Sequence, residues 1–282
     1  MNDLRSSGIL LLDKEAGVTS RQLDNLAQRA FHTRKVGHLG TLDPFATGLL
    51  LLAVNDATKY LPFLPDEEKT YVASLRLGMA TDTGDLTGNE TIQKDVPSLD
   101  ESKITEVLRS FLGEGTQIPP MTSAIKKDGV ALYRLAHKGM EVEREPRPIY
   151  IHDIRLLSYQ EGVLEFETTV SKGTYIRVLG EDIALRLGTV GHLIALRRTK
   201  VGDITIEGSI RASDLPSATL LPAYRFVMYK HIQAKDEEIK KVRNGVPISF
   251  NETDQRLLIM DGETPLAVYE KDGERYRCLR GL

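Results

Sequence analysis

Three glycines, a proline and one carboxylate crowd into Gly37-His38-Leu39-Gly40-Thr41-Leu42-Asp43-Pro44-Phe45-Ala46-Thr47-Gly48. That punctuation excludes a regular helix or a central strand, so the backbone reads as shaped for something other than packing. The segment runs straight into the apolar stretch Leu49 to Val54. An acid, an imidazole and small residues held beside a buried strand are typical ingredients of a reaction site. Asp43 is the group there that can act as a nucleophile, and the competing reading of Asp43-Pro44 is a simple turn cap. A second segment, Ser171-Lys172-Gly173-Thr174-Tyr175-Ile176-Arg177, carries a guanidinium on a Gly-Thr-Tyr entrance to a helix. A carboxylate in a partly dry pocket loses much of its hydration, and an arginine partner lets it stay ionised. The alternative for Arg177 is a surface arginine in a helix's first turn. Thr81-Asp82-Thr83-Gly84-Asp85 has the look of a loose metal loop but lacks the full calcium-binding alternation, so no metal site is expected. Neither a G-x-S-x-G segment nor a phosphate loop is present.

These groups need rigid elements behind them. Gly8 to Leu12 reads as a buried strand, and Thr19-Ser20 offers an N-cap for a helix to about Phe31. A strand near Leu49 to Val54 follows the Asp43 loop, then a short helix around Ala57 to Phe63 and a half-buried strand from Thr70 to Leu77. Ser98 with Glu101 gives a capping-box signal, and Ile104, Val107, Leu108, Phe111 and Leu112 form one apolar face. Pro148 to Leu157 and Val163 to Val170 read as strands before a helix that runs to about Leu187. Mixed hairpins and crossovers indicate an α/β (α+β) catalytic core with a mixed sheet and flanking helices. From about Tyr224 the character changes, with an amphipathic helix expected over His231 to Val246 and four short strand-like runs.

Composition sets the limits. A chain of 282 residues with 41% hydrophobic content fills a real core and holds one large domain with a small appendage. The single cysteine, Cys278, excludes an internal disulfide and any cysteine-rich zinc site, and reads as structural. No apolar run approaches the roughly 20 residues of a membrane span, nor a signal-peptide core, so a cytoplasmic protein is expected. The net charge of −3 lacks the basic surplus of a dedicated nucleic-acid binder. The charge is unevenly spread: Leu61 to Gly115 holds 5 basic and 11 acidic residues, and Ser171 to Arg211 holds 7 and 4. A basic face can therefore coexist with an acidic back. From Tyr224 to Leu282 the count is 11 basic to 10 acidic, so the tail is no obvious electrostatic anchor.

The Gly37–Gly48 string resembles, nearly residue for residue, the catalytic motif of the TruB family of tRNA pseudouridine synthases. Asp13-Lys14-Glu15-Ala16-Gly17-Val18-Thr19-Ser20 is similar to the family's opening DKPxGxTS pattern, with Glu15 where proline is usual, and SKGTYIR matches a further motif. The resemblance covers Gly8 to about Ser213 well and the remainder faintly. It implies a catalytic domain over 1–213, an RNA-binding insertion at about 121–148, and a small PUA-like RNA-binding β domain over 224–282. It also implies isomerisation of uridine to pseudouridine in the T loop of tRNA, at the position conventionally numbered 55, without cofactor or metal. By the same resemblance Asp43 is the catalytic residue, Arg177 its partner and Tyr71 a ring that stacks on the target base. Asp85 is a pocket acid, Leu196 an apolar wall, and His38 sits where the target nucleotide leaves the stack. Lys14 and Tyr175 are substrate-binding candidates, as is Lys126, which opens a basic run through Lys127, Arg134, Lys138, Arg144 and Arg147 with Tyr133 and His137 interleaved. Asp43 could attack the base or the sugar carbon, or assist a glycal route, and the residues leave all three open. A monomer without an obligate protein partner is expected.

Rival classes are a non-catalytic tRNA-binding chaperone, a carboxylate-based glycoside hydrolase recruiting Asp43 with Asp85, and a guide-dependent enzyme acting on ribosomal RNA.

Overall fold

A computed structural model describes residues 7–123, 125–127, 129–136 and 139–282, without the side chains of Lys126, Lys127, Ala131, Tyr133 and Ala136. The expected RNA contacts at Lys126, Lys127, Tyr133, His137 and Lys138 lie outside the described side chains.

A mixed sheet dominates, in the order Gly8–Lys14, Thr47–Val54, Gly191–Val201, Glu68–Leu77, Val163–Ser171, Arg147–Gln160 and Gly113–Gln117. Thr47–Val54 is almost wholly buried because the sheet is covered on both faces here, which explains its unbroken apolar run. Glu68–Leu77 alternates instead, sending Tyr71, Ala73 and Leu75 into one core cluster. Among the described residues, the parallel strand pair of this sheet joins Arg197 and Arg198 to Thr47 and Gly48. Gly48 is required there: a Cβ would stand 2.2 Å from the Arg198 carbonyl oxygen. One glycine of the Asp43 string therefore serves packing, contrary to the expectation from its composition. Val36–Leu39, at the start of that string, is a short strand paired with Thr47–Val54.

The helix Ser20–Ala30 starts at Thr19, where Thr19 and Gln22 form a reciprocal capping box. Glu101–Arg109 is capped by Asp100, which accepts from the Lys103 amide, and not by the expected Ser98. Residues 55–63 form a 3₁₀ helix, with Pro62 inside it. Ile176–Arg186 lays Leu179, Ile183 and Ala184 into the same core as Tyr71 and Leu75.

The small C-terminal β unit is a four-stranded sheet ordered Lys230–Gln233, Arg256–Asp261, Thr264–Asp272 and Arg275–Gly281. The helix expected over His231 to Val246 is shorter, Asp236–Arg243, because Lys230–Gln233 pairs in parallel with Leu257–Met260. Cys278 packs half-buried beside the cluster of Tyr269 and Tyr276. Leu258, Met260 and Val268 join Ile9, Leu49 and Leu51 in one cluster, so the small sheet shares apolar packing with the main one. No described helix is long and apolar enough to cross a membrane.

Candidate active site

The loop after Leu39 is held from below. Lys14, 1% exposed, donates to the carbonyls of Glu15, Pro44 and Ala46 at 3.0, 3.1 and 2.6 Å. Arg198, equally buried, donates from Nε to Leu49 O and from Nη2 to Gly40 O, each at 2.8 Å. Ser20 Oγ and the backbone of Leu42 exchange two further bonds. Two buried cations thus satisfy carbonyls that an irregular loop cannot pair in a ladder. This fixes the backbone on both sides of Asp43.

Arg177 reaches Asp43 with two donors, Nε to Oδ2 at 2.9 Å and Nη2 to Oδ1 at 3.3 Å. Its Nη1 donates to Thr83 O and Thr122 Oγ1, and Nη2 also donates to Thr122 O. All five guanidinium donors are used, so the fork cannot rotate without losing several bonds. Asp85 stands behind it, with Oδ2 at 3.7 Å from Arg177 Nε. The other oxygen of Asp85 accepts from Thr83 Oγ1 and from the amide and hydroxyl of Thr87. Asp82 accepts from the Asn89 backbone and amide and serves as a turn residue.

A cleft of about 270 Å³ opens above this cluster. Asp43, Tyr71, Tyr175, Arg177, Leu196 and Arg198 are among its walls, and Gly40, Thr41, Asp66, Lys69 and Lys172 stand beside them. About a third of the Asp43 side chain is exposed, against 3% for Arg177, so the carboxylate is the part of the pair that a ligand can reach. Burial is the largest influence on the Asp43 carboxyl and pushes it above the usual carboxylate range. Arg177, by charge and hydrogen bond, pulls it back down, as Lys14 does more weakly, while Asp85 adds to the push. The arginine offsets the desolvation without reversing it. Burial also raises the phenols of Tyr71 and Tyr175, so both stay protonated donors near neutral pH. Burial brings Lys14 down to about 8, with Asp43 opposing the fall and Arg198 adding to it.

The sequence-predicted residues therefore separate into three groups. Asp43, Tyr71, Arg177, Tyr175 and Leu196 converge on one cleft. Lys14 and Asp85 do not reach its wall: the Lys14 ammonium is enclosed by loop carbonyls, and Asp85 lies behind the guanidinium among threonine hydroxyls. Both hold other site residues, Lys14 the Asp43 loop and Asp85 the Arg177 guanidinium. His38 stands one step back, with Nδ1 3.0 Å from both oxygens of Asp24 and Nε2 3.1 Å from the cleft residue Thr41. Asp43 and Asp85 share one guanidinium and do not face each other across a cleft, which is no arrangement for a two-carboxylate glycosidase. Sequence reasoning missed Thr122, Arg198, Asp66, Lys69 and Lys172. For Thr122 the signal was its place inside Pro119-Pro120-Met121-Thr122-Ser123, and for Arg198 its position two residues after Leu196.

Residues 28–176 match the family model described as TruB family pseudouridylate synthase, N-terminal domain. Residues 177–225 match that of the tRNA pseudouridylate synthase B C-terminal domain, which ends before the small sheet begins. The chain is similar to the tRNA pseudouridine synthase B of Hydrogenovibrio crunogenus, at 41% identity over 89% of this chain and 84% of that one. It is 45% identical to the enzyme of the same name from Psychrobacter cryohalolentis, over 78% of this chain and 62% of its relative's length. In fold it resembles a chain of a Cbf5-Nop10-Gar1 complex, with a TM-score of 0.75 at 23% identity, over 99% of this chain and 85% of that one.

Proposed function

Because the chain belongs to the TruB family of pseudouridylate synthases, we propose that it isomerises uridine to pseudouridine in tRNA, at the T-loop uridine, with Asp43 as the nucleophile. The observation that carries the reading is the reachable carboxylate of Asp43, clamped by a saturated Arg177 at the base of the cleft. At about 270 Å³ the cleft lies at the small end of ligand sites and suits a single nucleoside, not a stretch of helix. The target base must therefore leave its stack, which costs a few kcal/mol in an intact duplex and less in a loop.

In the cleft, the Tyr71 ring offers a stacking face and Leu196 an apolar wall for the uracil. The reaction breaks the bond between N1 and the sugar, turns the base and joins C5 to the same sugar carbon. The proton displaced from C5 is balanced by the one gained at N1, so no oxidant or energy source is consumed. Catalysis then rests on preorganised groups: a fixed carboxylate, a guanidinium that cannot rotate away, and a platform that keeps the detached base in place. The insertion at about 121–148 and residues 224–282 would serve as RNA-binding elements around this site, the latter as a PUA-like module on a cytoplasmic, monomeric enzyme.

The test is incubation of the purified chain, without metal or nucleotide, with an unmodified tRNA transcript, followed by mapping of pseudouridine. Product confined to the T-loop uridine is the expected outcome. Product elsewhere would refute the proposed site, and tight binding without product would favour a chaperone.

A further inference from the structure

The ladder between Glu68–Leu77 and Val163–Ser171 ends at the pair Glu68 and Ser171, at the lip of the cleft. The two chains stay joined beyond it. The Lys172 amide donates to Glu67 O at 2.6 Å, and Lys172 Nζ lies 2.6 Å from Asp66 Oδ2. Ser171 to Thr174 form a tight turn, closed by the Thr174 amide on Ser171 O, with Gly173 at φ +88° as a turn of this kind requires. A Cβ on Gly173 would meet nothing within 4 Å, so the turn tip is open to a close approach from outside. Lys172 stands on that tip with 60% of its side chain exposed, while Asp66 is 14% exposed.

Asp66 has two cationic partners: against burial, which raises its carboxyl, hydrogen bonding to Lys172 and then to Lys69 keeps it ionised. Its other oxygen is 2.7 Å from Lys69 Nζ, and Lys69 is buried and also donates to the Asp66 carbonyl. If Lys172 left, the pair beneath it would remain neutral overall. That is unlike Arg177, whose departure would strand the buried carboxylate of Asp85. Hydrogen bonding to Asp66 holds the Lys172 ammonium in its charged form, and Glu67 also favours it.

We propose that Lys172 is a phosphate-binding residue, parked on Asp66 in the free protein and transferred on RNA binding to the backbone phosphate of the nucleotide that enters the cleft. The inference rests on the RNA-isomerase reading above and names the group that meets the substrate's backbone at the mouth of the site. A nucleoside seated on Asp43 and Tyr71 must trail its phosphates over the lip, where Lys172 is the exposed cation among the described wall residues. A flexible ammonium suits a phosphate that arrives by sliding in.

The two partners then affect binding in opposite directions. Lys172→Met should weaken affinity for a T-arm stem-loop about tenfold and reduce the slope of log K against log salt by about 0.7 to 0.9. Asp66→Asn releases the lysine and should tighten binding, by up to about fivefold. It also leaves the buried Lys69 ammonium without its carboxylate, so a loss of stability is expected beside the gain in binding, and Lys172→Arg should restore most of the affinity lost in Lys172→Met. Melting temperatures of all three variants guard against misfolding. Weakening by both Lys172→Met and Asp66→Asn, or an unchanged salt slope in Lys172→Met, would overturn the proposal and leave a structural clamp. The slope is read on binding alone. Opposite signs in a chain that forms no pseudouridine would therefore uphold this inference and fault the isomerase reading.

Discussion

Two arginine–carboxylate pairs in this chain have similar geometry and opposite surroundings. Arg177 meets Asp43 at 2.9 Å with 3% of its side chain exposed, whereas Arg256 meets Glu270 at 3.1 Å with 40% exposed. The first lies among Asp85, Thr83 and Thr122 beneath a cleft. The second spans neighbouring strands on the surface of the small sheet, whose buried side chains are chiefly apolar. Burying an ion pair seldom improves on an apolar core, because desolvation consumes most of the Coulombic gain. A fold that needed only stability could have filled the Arg177 site with leucine. In the small sheet the guanidinium is the exposed partner over a carboxylate 18% exposed; in the cleft the guanidinium is buried and the carboxylate, about a third exposed, faces the opening, and that marks where the chain gives up stability for chemistry.

The contrast is sharpened most by removing the nucleophile. Asp43→Asn should lower single-turnover pseudouridine formation by at least about 10⁴-fold while leaving tRNA binding near wild type, since the amide keeps the shape. Next comes Arg177→Ala. Stranding the buried carboxylate of Asp85 should cost about 3–5 kcal/mol in urea unfolding. It should also move the acid limb of the pH–rate profile to higher pH, because the guanidinium is the largest influence holding the Asp43 carboxyl down. An unmoved acid limb would remove that role from Arg177.

Lys14 gives a smaller effect with a defined sign. Burial lowers its ammonium from the usual 10.5 to about 8 in the folded chain. Between those values the unfolded chain holds a proton that the folded chain has released, so this group makes stability rise with pH across that window. Lys14→Met should lack that rise in urea titrations at pH 8 and above. A wild type and variant with parallel profiles would contradict the burial of the ammonium. Smallest of all should be Arg256→Ala, with melting temperature and turnover close to wild type, as is usual for exposed pairs. A large loss there would break the comparison between the two regions.

What could be read in advance was local chemistry. Thr19-Ser20 signals a helix start, which the structure places at Thr19, and the apolar run Leu49 to Val54 becomes the buried strand it resembles. The convergence of Asp43, Tyr71, Arg177 and Leu196 followed from recognisable strings, each in its own segment. Arg198 was not legible in the same way. Its role depends on the close passage of its strand over Gly48, a contact between residues 150 positions apart that no periodicity encodes. Asp66 with Lys172 is hidden for the same reason, since each alone looks like an ordinary surface charge. Ser98 misled because Asp100, two residues on, is an equally good cap and lies closer to the first apolar position. His231-Ile232-Gln233 fits a helical or a strand pattern, and only its neighbour Arg256–Asp261 decides for strand.

At the centre stands a reachable, arginine-clamped Asp43 that performs isomerisation. That proposed role is tested most directly by single-turnover assays of wild type and Asp43→Asn on one unmodified tRNA transcript, with binding measured in parallel. The account predicts pseudouridine at the T-loop uridine from wild type and none from the variant, at similar affinity. Product formation by Asp43→Asn at the wild-type rate would contradict it.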